Sequence, residues 1–189
     1  PRLLITGCSG QLGFELQSAL APLGEVIALD RSGCDLSNAD SIRSAVRSAK
    51  PDVIFNAGAY TAVDKAESEP DLAHSINAVA PGIIGEEAAK IGALVIHYST
   101  DYVFDGAKKG AYEEDDQANP LSVYGITKWQ GEQFVRQNPK HFILRTSWVF
   151  SSHGHHFLKN ICKLAQEKTL LNVVDDQCGA PTSVKTLSE

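Results

Sequence analysis

The chain has 189 residues and carries 17 Lys and Arg against 23 Asp and Glu, a formal net charge of -6. That balance argues against a nucleic-acid-binding surface, which needs clustered cations to meet phosphates, and no apolar stretch approaches the roughly 20 residues that cross a bilayer. The length lets a single core bury roughly 70% of the unfolded surface, and the widely spaced Cys8, Cys34, Cys162 and Cys178 hold no C-x-x-C pair, which reads as reduced thiols in the cytoplasm.

The chain opens directly on a strand, Leu3–Thr6, and no secretory leader is expected before it. Gly7, Gly10 and Gly13 follow in a G-x-x-G-x-x-G pattern that opens a helix over Gln11–Leu23. At a first strand-to-helix junction such glycines permit a tight turn (Gly7), close approach of backbone to a pyrophosphate (Gly10) and close helix-strand packing (Gly13). The amides at the helix start then face the phosphates, where the helix dipole favours negative charge. A glycine triplet alone is weak; in this context it predicts a dinucleotide site. Gly24 stands where a helix stop is expected.

The second strand, Glu25–Leu29, ends at Asp30, about 17 residues beyond Gly13 and near the usual spacing for an acid on the ribose. An acid there favours NADH, whereas Arg31 beside it suits a 2′-phosphate, so the cofactor choice stays open. Asp35 and Leu36 belong to the loop expected against the adenine. After a helix at Ala39–Ala49 and a strand at Val53–Asn56, the turn through Ala57, Gly58 and Ala59 is expected beneath the nicotinamide-side ribose.

A long helix is predicted over Pro70–Ile91, closed by Gly92, and a fourth strand over Leu94–Tyr98. Thr100 falls at the carboxyl end of that strand, where open α/β sheets bind ligands. The stretch Phe104–Pro120, with its acidic run Glu113–Asp116, predicts a long solvated loop of the kind often found over an active site. Tyr124 and Lys128 lie at i and i+4 on a helix predicted over Val123–Gln137, one turn apart on one face. A nearby ammonium, helped by the positive nicotinamide ring of the oxidised cofactor, is expected to stabilise the phenolate, lower the phenol's pKa and prepare it for acid-base work. The plainer reading is a capping Thr and a surface Tyr-Lys pair.

A fifth strand at Phe142–Arg145, a helix at His155–Glu167 and a sixth strand at Leu171–Val174 complete the pattern. Short apolar runs alternating with amphipathic stretches predict an α/β fold, a doubly wound parallel sheet of Rossmann type. His153, His155 and His156 suggest a metal site or, lacking an acidic partner, plain loop residues.

On these residues the chain resembles the extended short-chain dehydrogenase/reductase superfamily and, within it, the dTDP-4-dehydrorhamnose reductases. The likeness runs over essentially the whole chain and is densest in Ala59–Pro70, His97–Gly106, Arg145–Val149 and Asp176–Thr182. It implies reduction of the 4-keto group of dTDP-4-dehydro-L-rhamnose by NADPH or NADH, the last step of making dTDP-L-rhamnose for bacterial surface polysaccharides. It implies that Thr100, Tyr124 and Lys128 are catalytic. For the cofactor it implies Gly7, Gly10, Gln11, Leu12, Gly13, Asp30, Arg31, Asp35, Leu36, Ala57, Gly58, Ala59 and Thr61, with Tyr124 and Lys128 again. For a dTDP-linked keto-sugar it implies Val63, Asp64, Thr100, Asp101, Tyr102 and Trp148.

Trp148 offers a face for stacking on sugar or base; the other reading is a core aromatic beside the fifth strand. Related 4,6-dehydratases carry Glu where this chain has Tyr102, which favours reduction over water elimination. Some members bind magnesium at a dimer interface through Glu side chains. Glu15 matches one such position, but Lys185 stands at another and would repel the ion, so no such magnesium site, or an altered one, is expected and a homodimer is left open. Residues 1–150 are expected to form the NAD(P)-binding Rossmann domain and 151–189 the start of a substrate lobe, largely absent from the chain, with weaker sugar binding as the result. The alternatives are a dinucleotide-binding regulatory subunit without catalysis and a related epimerase or dehydratase.

Overall fold

The structure is a computed structural model and describes residues 1–152, 154 and 156–189. Among these, five parallel strands form one sheet: β1 (Arg2–Thr6), β2 (Glu25–Leu29), β3 (Val53–Asn56), β4 (Leu94–Thr100) and β5 (His141–Thr146), in the order β2-β1-β3-β4-β5. The order reverses between β1 and β3, and the crevice beyond the carboxyl ends of these two strands is where a doubly wound sheet binds its ligand.

Strand alternation separates two cores. Leu3 and Ile5 of β1 face α1 (Gln11–Leu20), packing with Leu12, Leu16 and Leu20, and with Val184 of α8 (Val184–Ser188). Leu4 faces the other way, with Ile42 and Val46 of α2 (Ala39–Ala49), Ile84 and Ala88 of α5 (Ala80–Ile91), and Val135 of α6 (Val123–Val135). Both faces of the sheet are therefore covered at its centre, which is why β1, β3 and β4 read as near-continuous apolar runs, while β5 at the edge leaves Phe142 and Leu144 exposed. Asn38 caps α2 by accepting from Asp40 and Ser41 amides, and Lys50 ends it in a left-handed conformation.

Several boundaries differ from the sequence pattern. Helix α1 stops at Leu20 rather than Leu23, and Gly24 is no cap; it lies where a side chain would strike the Pro1 carbonyl. Gly92 does close α5, with φ of 69°. The predicted helix Pro70–Ile91 is α4 (Pro70–His74), a π-turn (Ser75–Val79) and α5 in unbroken succession; a short α3 (Val63–Ala66) precedes it. Helix α6 ends at Val135, short of Gln137. Helix α7 spans Phe157–Glu167, and His155, its predicted start, lies outside the described residues.

The sixth strand predicted at Leu171–Val174 does not form: these residues are irregular, and Val173 and Val174 stay exposed. A β-branched run becomes a strand only when a partner edge and a covering face are available, and this one meets neither. Instead β6 (Val149–Phe150) pairs in parallel with β7 (Thr182–Ser183) as a small separate ladder. The predicted loop 104–120 is held from within, by Phe104 stacked on Tyr112 and by Asp105 accepting from Tyr112 and Asn119. Among the described residues no helix is long and apolar enough to cross a membrane.

Candidate active site

At the switch point the loop after β1 presses on the loop after β3. Gly7 has φ of 72°, and a Cβ there would lie 2.5 Å from Gly58 Cα. A Cβ on Gly58 would in turn lie 2.6 Å from Leu36 Cδ1, and one on Gly13 would collide with the Gly7 carbonyl. Three glycines thus exist because backbone passes backbone here. Gly10 is the N-cap of α1. The Leu12 side chain is core, and Gln11 accepts a hydrogen bond from the Ser151 hydroxyl at 3.0 Å.

Beside these loops opens a cleft of about 380 Å³, lined among others by Gly7, Ser9, Arg31, Asp35, Leu36, Gly58, Ala59 and Thr61. Its glycine floor, close to the start of α1, fits a dinucleotide phosphate. The Asp30 carboxylate bonds its own turn: Oδ1 accepts from the Ser32 hydroxyl and from the Ser32 and Gly33 amides. Those bonds, the hydroxyl first, hold it below the usual carboxylate range. Arg31 is 3.8 Å from Asp35 and largely exposed on the cleft wall.

Thr100, Tyr124 and Lys128 do come together. Thr100 ends β4, accepts from the Tyr102 amide at 3.1 Å and donates to Asp101 at 3.1 Å. Tyr124, in the first turn of α6, is buried with its phenol beside the Thr100 side chain. Tyr102 meets the Tyr124 ring edge-on, with centroids 5.4 Å apart, and remains 40% exposed. Lys128 is 2% exposed, and its Nζ donates to the Tyr98 carbonyl at 2.7 Å.

In the protein alone, without the nicotinamide ring that the expected lowering includes, desolvation sets the phenol's electrostatics. Burial pushes Tyr124 up to about 12, partly offset by the Thr100 bond and reinforced by Asp101 and Tyr102. Burial also pulls Lys128 down to about 8, opposed by the Glu132 carboxylate. The ammonium is spent on the Tyr98 carbonyl, so desolvation decides the phenol's pKa. A phenol that holds its proton at neutral pH is poised to donate it. Asp101 is likewise raised by burial.

Trp148 is not a core aromatic. It lies two residues past Thr146, which pairs with Thr100 across the β4–β5 edge, and it is 49% exposed. Its φ of 47° is a strained conformation for a bulky residue, of the kind that gathers at ligand sites. Ser147 and Ala180 exchange two hydrogen bonds that clamp this turn. Val63 packs against Tyr124 with Ala66 and Ala73, whereas Asp64 is exposed.

Three partnerships lie outside the sequence-predicted set. Asn77, on the π-turn, accepts from the Tyr60 amide and donates to its carbonyl, fixing the loop that lines the cleft. Nothing in the sequence marks it, because its aim depends on the extra residue in that turn. Asn56 joins the Thr6 hydroxyl to the fully buried His97. Glu132 stands one turn beyond Lys128, a spacing that was legible. Glu15 is half-buried on α1, Lys185 is exposed on α8, and among the described residues no group of three His, Cys, Asp or Glu is placed to hold a metal. Of the three histidines, His153 and His155 lie outside the described residues; His156 pairs with the Ser151 carbonyl.

Comparison with known proteins gives one family. The model described as RmlD substrate binding domain matches residues 1–189. The dTDP-4-dehydrorhamnose reductases of Salmonella typhimurium and Escherichia coli K12 are each 48% identical over 192 residues, covering 99% of this chain and 64% of the relative. The chain thus spans under two thirds of the length of these curated relatives. A crystal structure of a dTDP-4-dehydrorhamnose reductase from Clostridium acetobutylicum superposes with a TM-score of 0.95 at 43% identity, over 100% of this chain and 68% of that one. The Bacillus anthracis reductase, solved in complex with NADP, gives 0.93 at 39% identity, over 99% and 68%. A Thermus thermophilus UDP-glucose 4-epimerase at 18% identity and TM-score 0.83 shares the fold alone.

Proposed function

The chain belongs to the dTDP-4-dehydrorhamnose reductase family, and from that premise we propose that it carries out NAD(P)H-dependent reduction of the 4-keto group of dTDP-4-dehydro-L-rhamnose to dTDP-L-rhamnose. The reading places it in the cytoplasm, with residues 1–150 as the dinucleotide-binding and catalytic part, 151–189 as the start of the sugar-binding part, and a homodimer as its assembly.

When bound, the dinucleotide supplies the reducing equivalent. The turn at Gly7 and the helix start at Gly10, packed close through Gly13, would receive its phosphates; Asp35, Leu36 and Arg31 would meet its adenosine end; Gly58, Ala59 and Thr61, with Ala57 before them, would hold its nicotinamide end. Arg31 on the cleft wall and Asp30 engaged by its own turn favour NADPH over NADH. Thr100 holds the carbonyl oxygen, and Tyr124 gives that oxygen its proton. Lys128 keeps a positive charge behind the forming phenolate. Trp148 and Tyr102, half-exposed on either side of the strand end, hold the sugar nucleotide, with Val63 and Asp64 behind them.

The observation that carries this reading is the buried phenol of Tyr124 beside Thr100 at the carboxyl end of β4, with the buried Lys128 one turn away on α6. The test is Tyr124→Phe in the complete protein. Turnover followed at the reduced-nicotinamide absorbance is expected to fall by roughly 10²–10⁴-fold, while calorimetry shows unchanged cofactor affinity. Near-normal turnover in this variant ends the mechanism; tight cofactor binding without turnover in the wild type ends the enzymatic reading.

A further inference from the structure

Tyr124, Lys128 and Glu132 recur every four residues along one face of α6, and the third of them is fully buried. An isolated carboxylate in such a place is prohibitively costly unless it is paired and hydrogen-bonded. Here Glu132 is held at three points. Its Oε1 accepts from the Ser99 hydroxyl at 2.6 Å and from Arg145 Nε at 3.0 Å, and its Oε2 accepts from Arg145 Nη2 at 2.7 Å. Ser99 and Arg145 are cross-strand partners on β4 and β5, and the next register pair is Thr100 and Thr146. Arg145 is itself fixed between the rings of Phe104 and Trp129, 5.0 and 5.6 Å from their centroids.

We propose, on the reductase reading above, that Glu132 is a positioning residue for the reaction. Through Ser99 it locks the α6 face carrying Tyr124 and Lys128 to the strand end carrying Thr100, and it supplies the countercharge for the buried Lys128 ammonium. Two links run through this one carboxylate. The geometric link joins helix to strand beside the residue that holds the substrate carbonyl. The electrostatic link opposes the desolvation that draws the Lys128 proton off.

The charged and titratable groups around this pair come from each element packed on it. On α6 they are Tyr124, Glu132 and Arg136, whose guanidinium is 3.7 Å from Glu132. On β4 they are His97, which burial and Lys128 keep neutral, and Tyr98, pushed up to about 12 by burial. On β5 the group is Arg145, and beyond β4 it is Asp101. Among these, Glu132 is the anion that favours the Lys128 charge.

The test is Glu132→Gln in the complete protein, which keeps an acceptor for Ser99 and removes the charge. The profile of kcat/KM against pH is compared with the wild type, using the reduced dinucleotide and the keto-sugar nucleotide. The wild-type profile is expected to fall on its alkaline side as Lys128 loses its proton, and in Glu132→Gln that limb moves about one pH unit lower. The loss is then about fivefold at pH 8, approaches tenfold at higher pH and is small at pH 6. Ser99→Ala removes the strand tie while retaining the charge; it is expected to lower kcat several-fold without moving the limb. An alkaline limb at its wild-type position in Glu132→Gln overturns the proposal, as does a uniform loss at every pH. If Glu132→Gln does not fold, Glu132→Asp, which keeps the charge on a shorter arm, is expected to lower kcat with the limb in place; a displaced limb there overturns the proposal. Failure of the underlying reading is separate, since it shows as retained turnover in Tyr124→Phe.

Discussion

Helix α6 buries Tyr124, Lys128 and Glu132 against β4 and β5, whereas α7, nearly as long and more strongly amphipathic, buries none of its residues. Phe157 and Leu158 of α7 are 67% and 55% exposed, while Leu4, Ile5 and Leu16 of the sheet body are at most 1% exposed. Burial of that order contributes about 1.5–3 kcal/mol per large apolar side chain. The two regions therefore do different work. The body holds its proposed acid-base groups in a desolvated frame where small displacements are resisted. Residues past β5 present Trp148 on a strained, half-exposed turn that tolerates adjustment.

Substituting one glycine in the body gives the largest effect. Gly7→Ala adds a methyl group 2.5 Å from the Gly58 backbone at a residue with φ of 72°. The atoms it meets are backbone, Gly58 Cα and N and Ala57 C, and no side-chain rotation relieves the contact. A left-handed backbone costs about 1–2 kcal/mol and overpacking about 1–3 kcal/mol. Thermal unfolding is expected to show a loss of at least about 2 kcal/mol, and calorimetry a loss of cofactor affinity of a hundredfold or more. Wild-type affinity in this variant would break the assignment of the cleft.

A smaller effect separates the regions by pH. Glu87 of α5 is buried under Arg47, which it accepts at 2.6 and 2.9 Å, and Lys90 at 2.8 Å. Led by the Arg47 hydrogen bonds, these partners hold it down to about 2, against an ordinary 4.5. The folded value lies below the unfolded one, so the stabilisation is complete above about pH 5 and is lost as pH falls from 4.5 toward 2. The shift corresponds to at most about 3 kcal/mol, and less because Arg47 and Lys90 are half-exposed and screened. Denaturant midpoints measured between pH 2.5 and 6 should fall less steeply for Glu87→Gln than for the wild type. Parallel curves would remove Glu87 from the account.

The same contrast governs what was legible in the sequence. The central strands β1, β3 and β4 could be read because both their faces are covered, which turns burial into an apolar run. Gly7, Gly13 and the Tyr124–Lys128 spacing could be read because each answers a local steric or helical demand. Leu171–Val174 was misread for the converse reason: its residues look like a strand, but strand formation is decided by a partner the local pattern does not contain. Asn77 was invisible since its reach to Tyr60 comes from a π-turn. The upward push that burial gives the Tyr124 phenol, and the turn of Lys128 toward the Tyr98 carbonyl, were invisible because both are tertiary facts.

The smallest stability effect, and the sharpest contrast with Gly7, belongs to Gly179. A Cβ there would lie 2.6 Å from Cε2 and 2.8 Å from Nε1 of Trp148, a clash as close as that at Gly7. Two features make it cheap. Gly179 needs no left-handed backbone, and its neighbour is a half-exposed side chain that can swing aside. Gly179→Ala is therefore expected to change unfolding free energy by no more than about 0.5 kcal/mol, as a surface substitution does. The displaced indole is the proposed platform for the sugar nucleotide, so KM for that substrate should rise several-fold while kcat and cofactor affinity hold. That split is the mark of binding lost equally from ground and transition states. Should Gly179→Ala instead unfold the protein as Gly7→Ala does, the turn at Trp148 would belong to the rigid body. Should KM stay unchanged while the indole moves, Trp148 would have no part in holding the sugar.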